Sequence, residues 1–347
     1  MSDIVNGQKL ISVIMSNYNT PEEYLRKSIE SILNQTYTNF EFIIIDDCST
    51  DNSLEIIQSY IDDRIVLIKN DKNLGITKSL NKGLCVAKGE YVARMDADDI
   101  AFPERFEKQI KFLESHPEYI VCGTGVELIG EWEKKHSNKY ICRTIPDREQ
   151  FRINLLFGNY PNIVHPTAMF NNKLLKKHQI TYNEKYPLAQ DYRMWVSCSE
   201  YAECTNLPET LLYYRVHGQA VSSDKKELQK NIAVQIMQEQ LEKLELTLTE
   251  EYAEIHKDFI SSRKPYDLKC EKWIKTLLKH NKKHKVYDQK LLKKTLWKKW
   301  AEISYFGLFE SDNIFKRIGV MRRISPFLFP YLFKFRRRRI KYAQTRK

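Results

Sequence analysis

Apolar positions recur along this chain in two alternating rhythms. Leu10-Ile11-Ser12-Val13-Ile14-Met15 is a short β-branched run, and the turn chemistry of Asn17-Tyr18-Asn19-Thr20-Pro21 ends it as a strand near Ser16. Leu25, Ile29, Ile32 and Leu33 then follow at helical spacing, with Pro21-Glu22-Glu23 suited to a first turn. Phe40-Glu41-Phe42-Ile43-Ile44-Ile45 is nearly all apolar towards its end, as expected of a strand covered on both faces. The alternation continues with a helix on Leu54, Ile57 and Ile61, a strand at 64–68 and a helix at 76–87. A strand at 91–93 and a helix on Phe106, Ile110 and Leu113 follow. This β-α-β-α rhythm predicts an α/β fold with an open, doubly wound, mostly parallel sheet, whose ligands bind at the carboxyl ends of the strands.

Further on, residues 119–130 predict a strand interrupted at Gly123-Thr124-Gly125, 131–138 a polar loop and 150–157 a helix. His165-Pro166 precedes a short strand. Residues 189–195 open a helix with Asp191 in its first turn, where the helix dipole alone would favour a carboxylate. Residues 207–217 form a strand ending in Tyr214-Arg215-Val216-His217. Beyond 222 the pattern becomes purely helical. Leu228, Ile232, Ile236, Leu241 and Leu244 make one stripe, and Thr247 with Glu250 forms a capping box for the next helix. Trp273, Leu277 and Leu278, then Leu291, Leu292, Leu296 and Trp300, repeat the stripe among lysines.

Charge sharpens this division. Residues 264–347 hold 25 Lys and Arg against 6 Asp and Glu, a net +19, which leaves the first 263 residues at −8 of the chain's overall +11. With 42% hydrophobic and 29% charged residues, the 347-residue chain has an ordinary globular composition. It contains no run of about 18 apolar residues, and no basic-then-apolar leader follows Met1. A cytoplasmic protein is expected. The seven cysteines are scattered without a Cys-x-x-Cys pair, so reduced thiols are expected rather than a disulfide framework or a zinc site.

The predicted strand ends carry the candidate chemistry: Ser16-Asn17-Tyr18-Asn19, Asp46-Asp47, and Asp96-Ala97-Asp98-Asp99. Three carboxylates in four residues repel one another. Such a turn is stable if solvated or used in local capping, and useful if it holds a divalent cation through oxygen ligands. A Gly-x-Gly-x-x-Gly fingerprint and a Walker Gly-Lys-Ser/Thr are both absent, so a bridging cation is the way left to neutralise a bound diphosphate.

Several motifs in one order extend this. Ser12-Val13-Ile14-Met15-Ser16-Asn17-Tyr18-Asn19, Ser31-Ile32-Leu33-Asn34-Gln35-Thr36-Tyr37 and Ile43-Ile44-Ile45-Asp46-Asp47-Cys48-Ser49-Thr50-Asp51 come first. Asn73-Leu74-Gly75, Ala87-Lys88-Gly89-Glu90-Tyr91, Met95-Asp96-Ala97-Asp98-Asp99, His165-Pro166-Thr167 and Gln190-Asp191-Tyr192 follow. Together they resemble bacterial family 2 glycosyltransferases of the GT-A fold and the polysaccharide-assembly type. The resemblance implies a catalytic domain at 1–222, with a nucleotide-sugar half at about 10–130 and an acceptor half at about 131–222, followed by a basic helical region at 223–347. It implies inverting transfer of a hexosyl or N-acetylhexosaminyl group from a nucleoside diphosphate sugar, UDP-linked, to a hydroxyl of a surface glycan, free or lipid-linked. Capsule and lipopolysaccharide are the expected settings.

By the same resemblance Tyr18 would pack on the base, Asp47 would hydrogen-bond it with Ser16 alongside, and Asp96 would contact the ribose region. Asp98, with His217, would hold a divalent cation, manganese or magnesium. Asp191 would be the catalytic base, with His165 and Gln190 towards the acceptor. One departure stands out: the family's usual Glu-Asp pair is Gln190-Asp191 here, which removes a charge that could raise the base's pKa and puts an acceptor contact in doubt. The rivals are a nucleotidyltransferase-like enzyme releasing pyrophosphate and a non-catalytic glycan- or membrane-binding module.

The tail interleaves Phe327, Phe329, Tyr331, Phe333 and Phe335 with cations ending in Arg336-Arg337-Arg338-Arg339. Its apolar core, 324–335, would be about 18 Å long as a helix, too short for a bilayer core of about 30 Å. It suits the interface of an anionic membrane surface, giving a peripheral enzyme at the inner face of the cell membrane. The acidic body and the lack of a recognition motif argue against nucleic acid as a partner.

Overall fold

A computed structural model describes residues 7–130, 140–141, 145, 147–158, 163–216, 226–250, 252–253, 255–256 and 268–309. It divides into two units, one of residues 1–151 with 161–232, the other of 152–160 with 233–347.

In the first unit, β1 (Ile11–Asn17), β2 (Phe40–Asp46), β3 (Ile65–Lys69) and β4 (Tyr91–Asp96) are parallel and lie in the order β3-β2-β1-β4. They alternate with α1 (Glu22–Leu33), α2 (Ser53–Gln58) and α3 (Ile76–Val86), and α4 (Arg105–Ser115) follows. The sheet continues with β5 (Ile100–Ala101), β6 (Tyr119–Gly130), β7 (Tyr140–Ile141), β8 (Met169–Asn171) and β9 (Glu203–Val216). β8 lies antiparallel between β4 and β6, β9 runs parallel to β6, and β5 closes the edge on β9. β7 pairs with β6. The helices α6 (Asn172–Lys177) and α7 (Gln190–Tyr201) also belong to this unit, and α5 (Arg148–Leu156) begins in it and ends in the second.

The periodicities explain the packing. β2 is buried at all but one position, as its unbroken apolar run requires. α1 buries Leu25, Ser28, Ile29 and Ile32, one stripe at helical spacing. Each large side chain buried in this way contributes about 1.5–3 kcal/mol. Strand register then sets the functional edge: Ser16 pairs with Asp96 across β1–β4, and Asn17 with Asp46 across β1–β2.

Several elements differ from expectation. α2 stops at Gln58 and Ile61 is fully exposed, because Asp62 turns the chain into β3 by accepting from the Arg64 amide at 2.9 Å. β4 runs on to Asp96, so the acidic turn begins inside the sheet. β6 is continuous through Gly123-Thr124-Gly125, and the glycines mark register shifts against β9. A Cβ at Gly123 would collide with the Asn206 side chain. Leu228, expected in an apolar stripe, is exposed. The expected loop at 131–138 lies outside the described residues.

The second unit contains α9 (Leu268–His284), α10 (Gln289–Phe309) and the larger part of α8 (Lys226–Glu242). Its core gathers Ile153, Leu156, Leu241, Leu244, Trp273, Ile274, Leu277, Leu292, Leu296 and Trp300. His256 is buried there: its Nε2 donates to the Leu156 carbonyl at 2.7 Å, and its Nδ1 accepts from Trp273 Nε1 at 3.0 Å. Burial pushes the imidazole down to about 4. Thr249 rather than Thr247 meets a free amide, accepting from Tyr252 at 3.4 Å. No described helix is long and apolar enough to cross a membrane.

Candidate functional site

The functional edge is built where β1, β2 and β4 end. Asp46 is spent on local structure: its carboxylate accepts from Asn17 Nδ2, Ser49 Oγ and the Ser49 amide, which fixes the turn after β2. Asn19, at φ 51°, holds that turn from the other side through Thr50. Tyr18, between Asn17 and Asn19, is 49% exposed and open to a planar partner. Asp47 is buried and accepts from Asn70 Nδ2 at 2.7 Å, Leu74 N at 2.8 Å and Gly75 N at 2.8 Å. It thereby shapes the Asn73-Leu74-Gly75 loop, which needs glycine at φ 82°. A carboxylate accepts about four hydrogen bonds, so Asp47 keeps room for one more donor.

At the end of β4, one oxygen from each of Asp96, Asp98 and Asp99 lies within 4.8 Å of the others. Two buried guanidinium groups support them. Arg94 pairs with Asp96, and Arg105 donates to the Arg94 carbonyl at 2.8 Å and to Gln109 at 3.0 Å. Burial lowers Arg105 to about 9, so it remains charged at neutral pH. β9 clamps the turn from the opposite side: the Arg215 amide donates to Asp99 Oδ1 and its Nε to the Asp98 carbonyl, both at 2.8 Å. Asp99 is held well above the usual carboxylate range by burial and by the charges of Asp96 and Asp98. Its Oδ2 is buried without a protein partner. A crowded set of hard oxygen donors with one orphaned oxygen fits a divalent cation of the magnesium or manganese kind.

Asp191 occupies the first turn of α7, half-buried, with Oδ1 accepting from the Tyr192 amide at 2.7 Å. Burial raises its carboxyl, and Asp96 adds to the shift while Arg94 opposes it. Tyr214 feels both acidic groups: burial raises its phenol, and Asp96, Asp99, Asp98 and Asp191 all push it further up. The fold therefore brings Asp191 into the electrostatic neighbourhood of a turn nearly a hundred residues away. His165 also joins this group. Its Nε2 is 2.7 Å from Tyr182 Oη, its ring meets Trp195 edge to face, and burial with Arg94 holds it well below the ordinary histidine value. Gln190 buries its Oε1 without a protein partner. Ser16 is half-buried beside Asp96, and His217 lies outside the described residues.

Sequence reasoning passed over Arg94, Arg105, Tyr182 and Tyr214 as site residues. Arg94 had a signal: an arginine inside the apolar strand Tyr91–Asp96 must be paired if that strand is buried on both faces. Tyr182 had none, since only the fold carries it to His165.

Residues 12–179 match the family described as Glycosyl transferase family 2. An uncharacterized glycosyltransferase of Methanocaldococcus jannaschii is 40% identical over 213 residues, spanning 60% of this chain and 71% of that protein. The UDP-Glc:alpha-D-GlcNAc-diphosphoundecaprenol beta-1,3-glucosyltransferase WfaP of Escherichia coli is 32% identical over 231 residues, covering 62% and 81%. In structure, S. aureus TarS 1-349 in complex with UDP-GlcNAc superposes with a TM-score of 0.57 at 19% identity, over 94% of this chain and 91% of that one. That likeness is one of fold, a GT-A-type sheet with a helical C-terminal region. With a family match that begins in β1 and relatives aligned over most of their own length, this chain belongs to glycosyl transferase family 2 and is a glycosyltransferase.

Proposed function

We propose that this enzyme transfers a hexosyl or N-acetylhexosaminyl group, with inversion, from a UDP-linked sugar to a hydroxyl of a surface-glycan acceptor. The observation that carries the reading is the shared surroundings of Asp191 and the acidic turn: the charge of Arg94 acts on both Asp191 and Asp96, and the carboxylates of both groups act on Tyr214. Single displacement at an anomeric carbon needs a base on one side of the sugar and stabilisation of the leaving diphosphate on the other. Asp191 takes the proton of the acceptor hydroxyl, and that oxygen attacks the anomeric carbon as its bond to the diphosphate breaks. Burial makes Asp191 a stronger base than a solvated aspartate. Gln190 beside it adds no charge and offers an amide to the acceptor, and His165, neutral in its buried setting, offers a hydrogen-bonding ring.

Asp98, with Asp96 and Asp99 beside it, would hold a magnesium or manganese ion, with His217 as a further ligand. Bound there, it would supply charge neutralisation for the departing diphosphate. Tyr18 stacks on the base, the free acceptor position of Asp47 takes a base N–H, Ser16 lies alongside, and Asp96 orients the ribose. UDP as the nucleotide is supported by what WfaP and the TarS complex are named for, and a lipid-linked acceptor by the name of WfaP. Such an acceptor, with the basic chain after residue 264, supports a peripheral location at the cytoplasmic face of a membrane. Residues 1–222 form the catalytic part in this reading, and 223–347 the basic helical part.

The test is to incubate purified protein with a panel of nucleotide sugars, an acceptor glycan and manganese, and to identify the released product. Nucleoside diphosphate is expected. Pyrophosphate would mark a nucleotidyltransferase, and ligand binding without turnover by any donor would mark a binding module.

A further inference from the structure

α9 has two opposite faces. Trp273, Ile274, Leu277 and Asn281 are buried. Lys272, Lys275, Lys279, Lys282 and Lys283 are exposed, and at about 100° per residue they fall within one arc of about 100° on the far side of the helix. Lys275 pairs with Glu271 at 2.7 Å and Lys283 with Glu245 at 2.8 Å. Lys272, Lys279 and Lys282 have no carboxylate partner among the described residues. The bias extends into α10, where Lys290, Lys293, Lys294 and Lys298 are exposed, so residues 268–300 hold 12 lysines against 2 acidic residues.

A stripe that served only solubility would mix both signs. Here like charges repeat at spacings of three and four, which destabilises an isolated helix. The repulsion is relieved when the stripe meets an anionic surface. The row from Lys272 to Lys283 is about 16 Å long. It borders a shallow, open depression lined by Glu271, Lys272, Lys275, Thr276 and Lys279 rather than a groove. No aromatic side chain on this face offers a base a stacking platform. A flat array of flexible ammonium groups matches a flat array of head-group phosphates.

We propose that this lysine face of α9 docks on the anionic head groups of a lipid bilayer. The inference rests on the lipid-linked acceptor proposed above and deepens it, because it assigns membrane contact to α9 as well as to the aromatic tail. The lysine stems reach the head groups while the backbone stays outside, and the contact weakens with salt because it is electrostatic.

The test is co-sedimentation of the full-length protein with vesicles of phosphatidylcholine alone, or with one third phosphatidylglycerol. The wild type should bind the anionic vesicles only, and high salt should release it. Replacing Lys272→Gln, Lys279→Gln and Lys282→Gln together should weaken that binding by about tenfold or more. Nucleotide release with a water-soluble acceptor should not change. Circular dichroism checks the fold, and the single exchange Lys279→Glu gives a milder second variant. Unchanged vesicle binding by both variants, or equal binding to neutral vesicles, would overturn the proposal. So would binding to heparin that the exchanges abolish, in a protein that ignores vesicles, since the partner would then be a soluble polyanion. The two readings fail separately. A wild type that releases no nucleotide but loses vesicle binding on exchange removes the lipid-linked acceptor and leaves the face. Normal nucleotide release with unaltered vesicle binding does the reverse.

Discussion

In the proposed mechanism Asp191 and Asp98 act on opposite sides of the transferred sugar, so their removal should separate into different kinetic defects. Asp191→Asn keeps the shape and removes the base. Transfer should fall by about 10³-fold, while calorimetry with UDP and manganese shows unchanged affinity; transfer that persists would move the base elsewhere. Asp98→Ala should instead weaken manganese-dependent UDP binding, and undiminished binding would remove Asp98 from the cation site. In the same reading the acid side of the pH–rate profile should report Asp191. A base must be deprotonated, and burial raises this carboxyl, so activity should fall away at a higher pH than a solvated aspartate would give. At this scale the sequence was legible where chemistry shows as a motif, as in Asp96-Ala97-Asp98-Asp99 and Gln190-Asp191-Tyr192. It was silent where a side chain matters through its neighbours. Asp99 carried no role until the Arg215 amide was found on its carboxylate, and Tyr182 none until its hydroxyl was found on His165.

At the scale of elements, β4 and β9 together fix the acidic turn. Arg94 is the buried counter-charge in that arrangement, pairing with Asp96 while Arg105 holds the Arg94 carbonyl. Arg94→Met should lower unfolding free energy by about 3 kcal/mol, measured in denaturant, because a partly buried carboxylate loses its partner. A change near zero would show that Asp96 is solvated well enough to stand alone. In the helical unit His256 sets a pH dependence. Its folded value is near 4 and its unfolded value near 6.5, so its contribution is fully present above pH 6.5 and is lost as pH falls towards 4. The shift corresponds to roughly 3 kcal/mol. His256→Gln, which cannot titrate, should flatten the stability profile across that window in thermal melts. The strands and helices of the first 115 residues were legible because a parallel sheet demands unbroken apolar runs and each covering helix a stripe. Elements failed where a local bond overrode the period. Asp62 ends the connection to β3 before Ile61 can join a helix, and Thr249 takes the capping position expected of Thr247.

For the molecule as a whole, the uneven charge is the feature that sequence showed most plainly: a body of net −8 and a C-terminal part of net +19. Counting charge did not reveal its arrangement, which needed the phase of α9 to set five lysines on one face and the tryptophan core on the other. The sheet order was likewise hidden. The rhythm of the chain implied a parallel sheet, yet nothing in it announced that β8, which follows His165, would insert antiparallel beside β4. Inverting transfer is the central claim, and it joins the two halves of the sequence through one base and one acidic turn. The most direct measurement is the configuration of the new linkage, read by nuclear magnetic resonance on the product of an α-linked UDP-sugar. The account predicts a β-glycoside and release of UDP, both lost in Asp191→Asn. An α-glycoside, or a β-glycoside formed undiminished by Asp191→Asn, would contradict it.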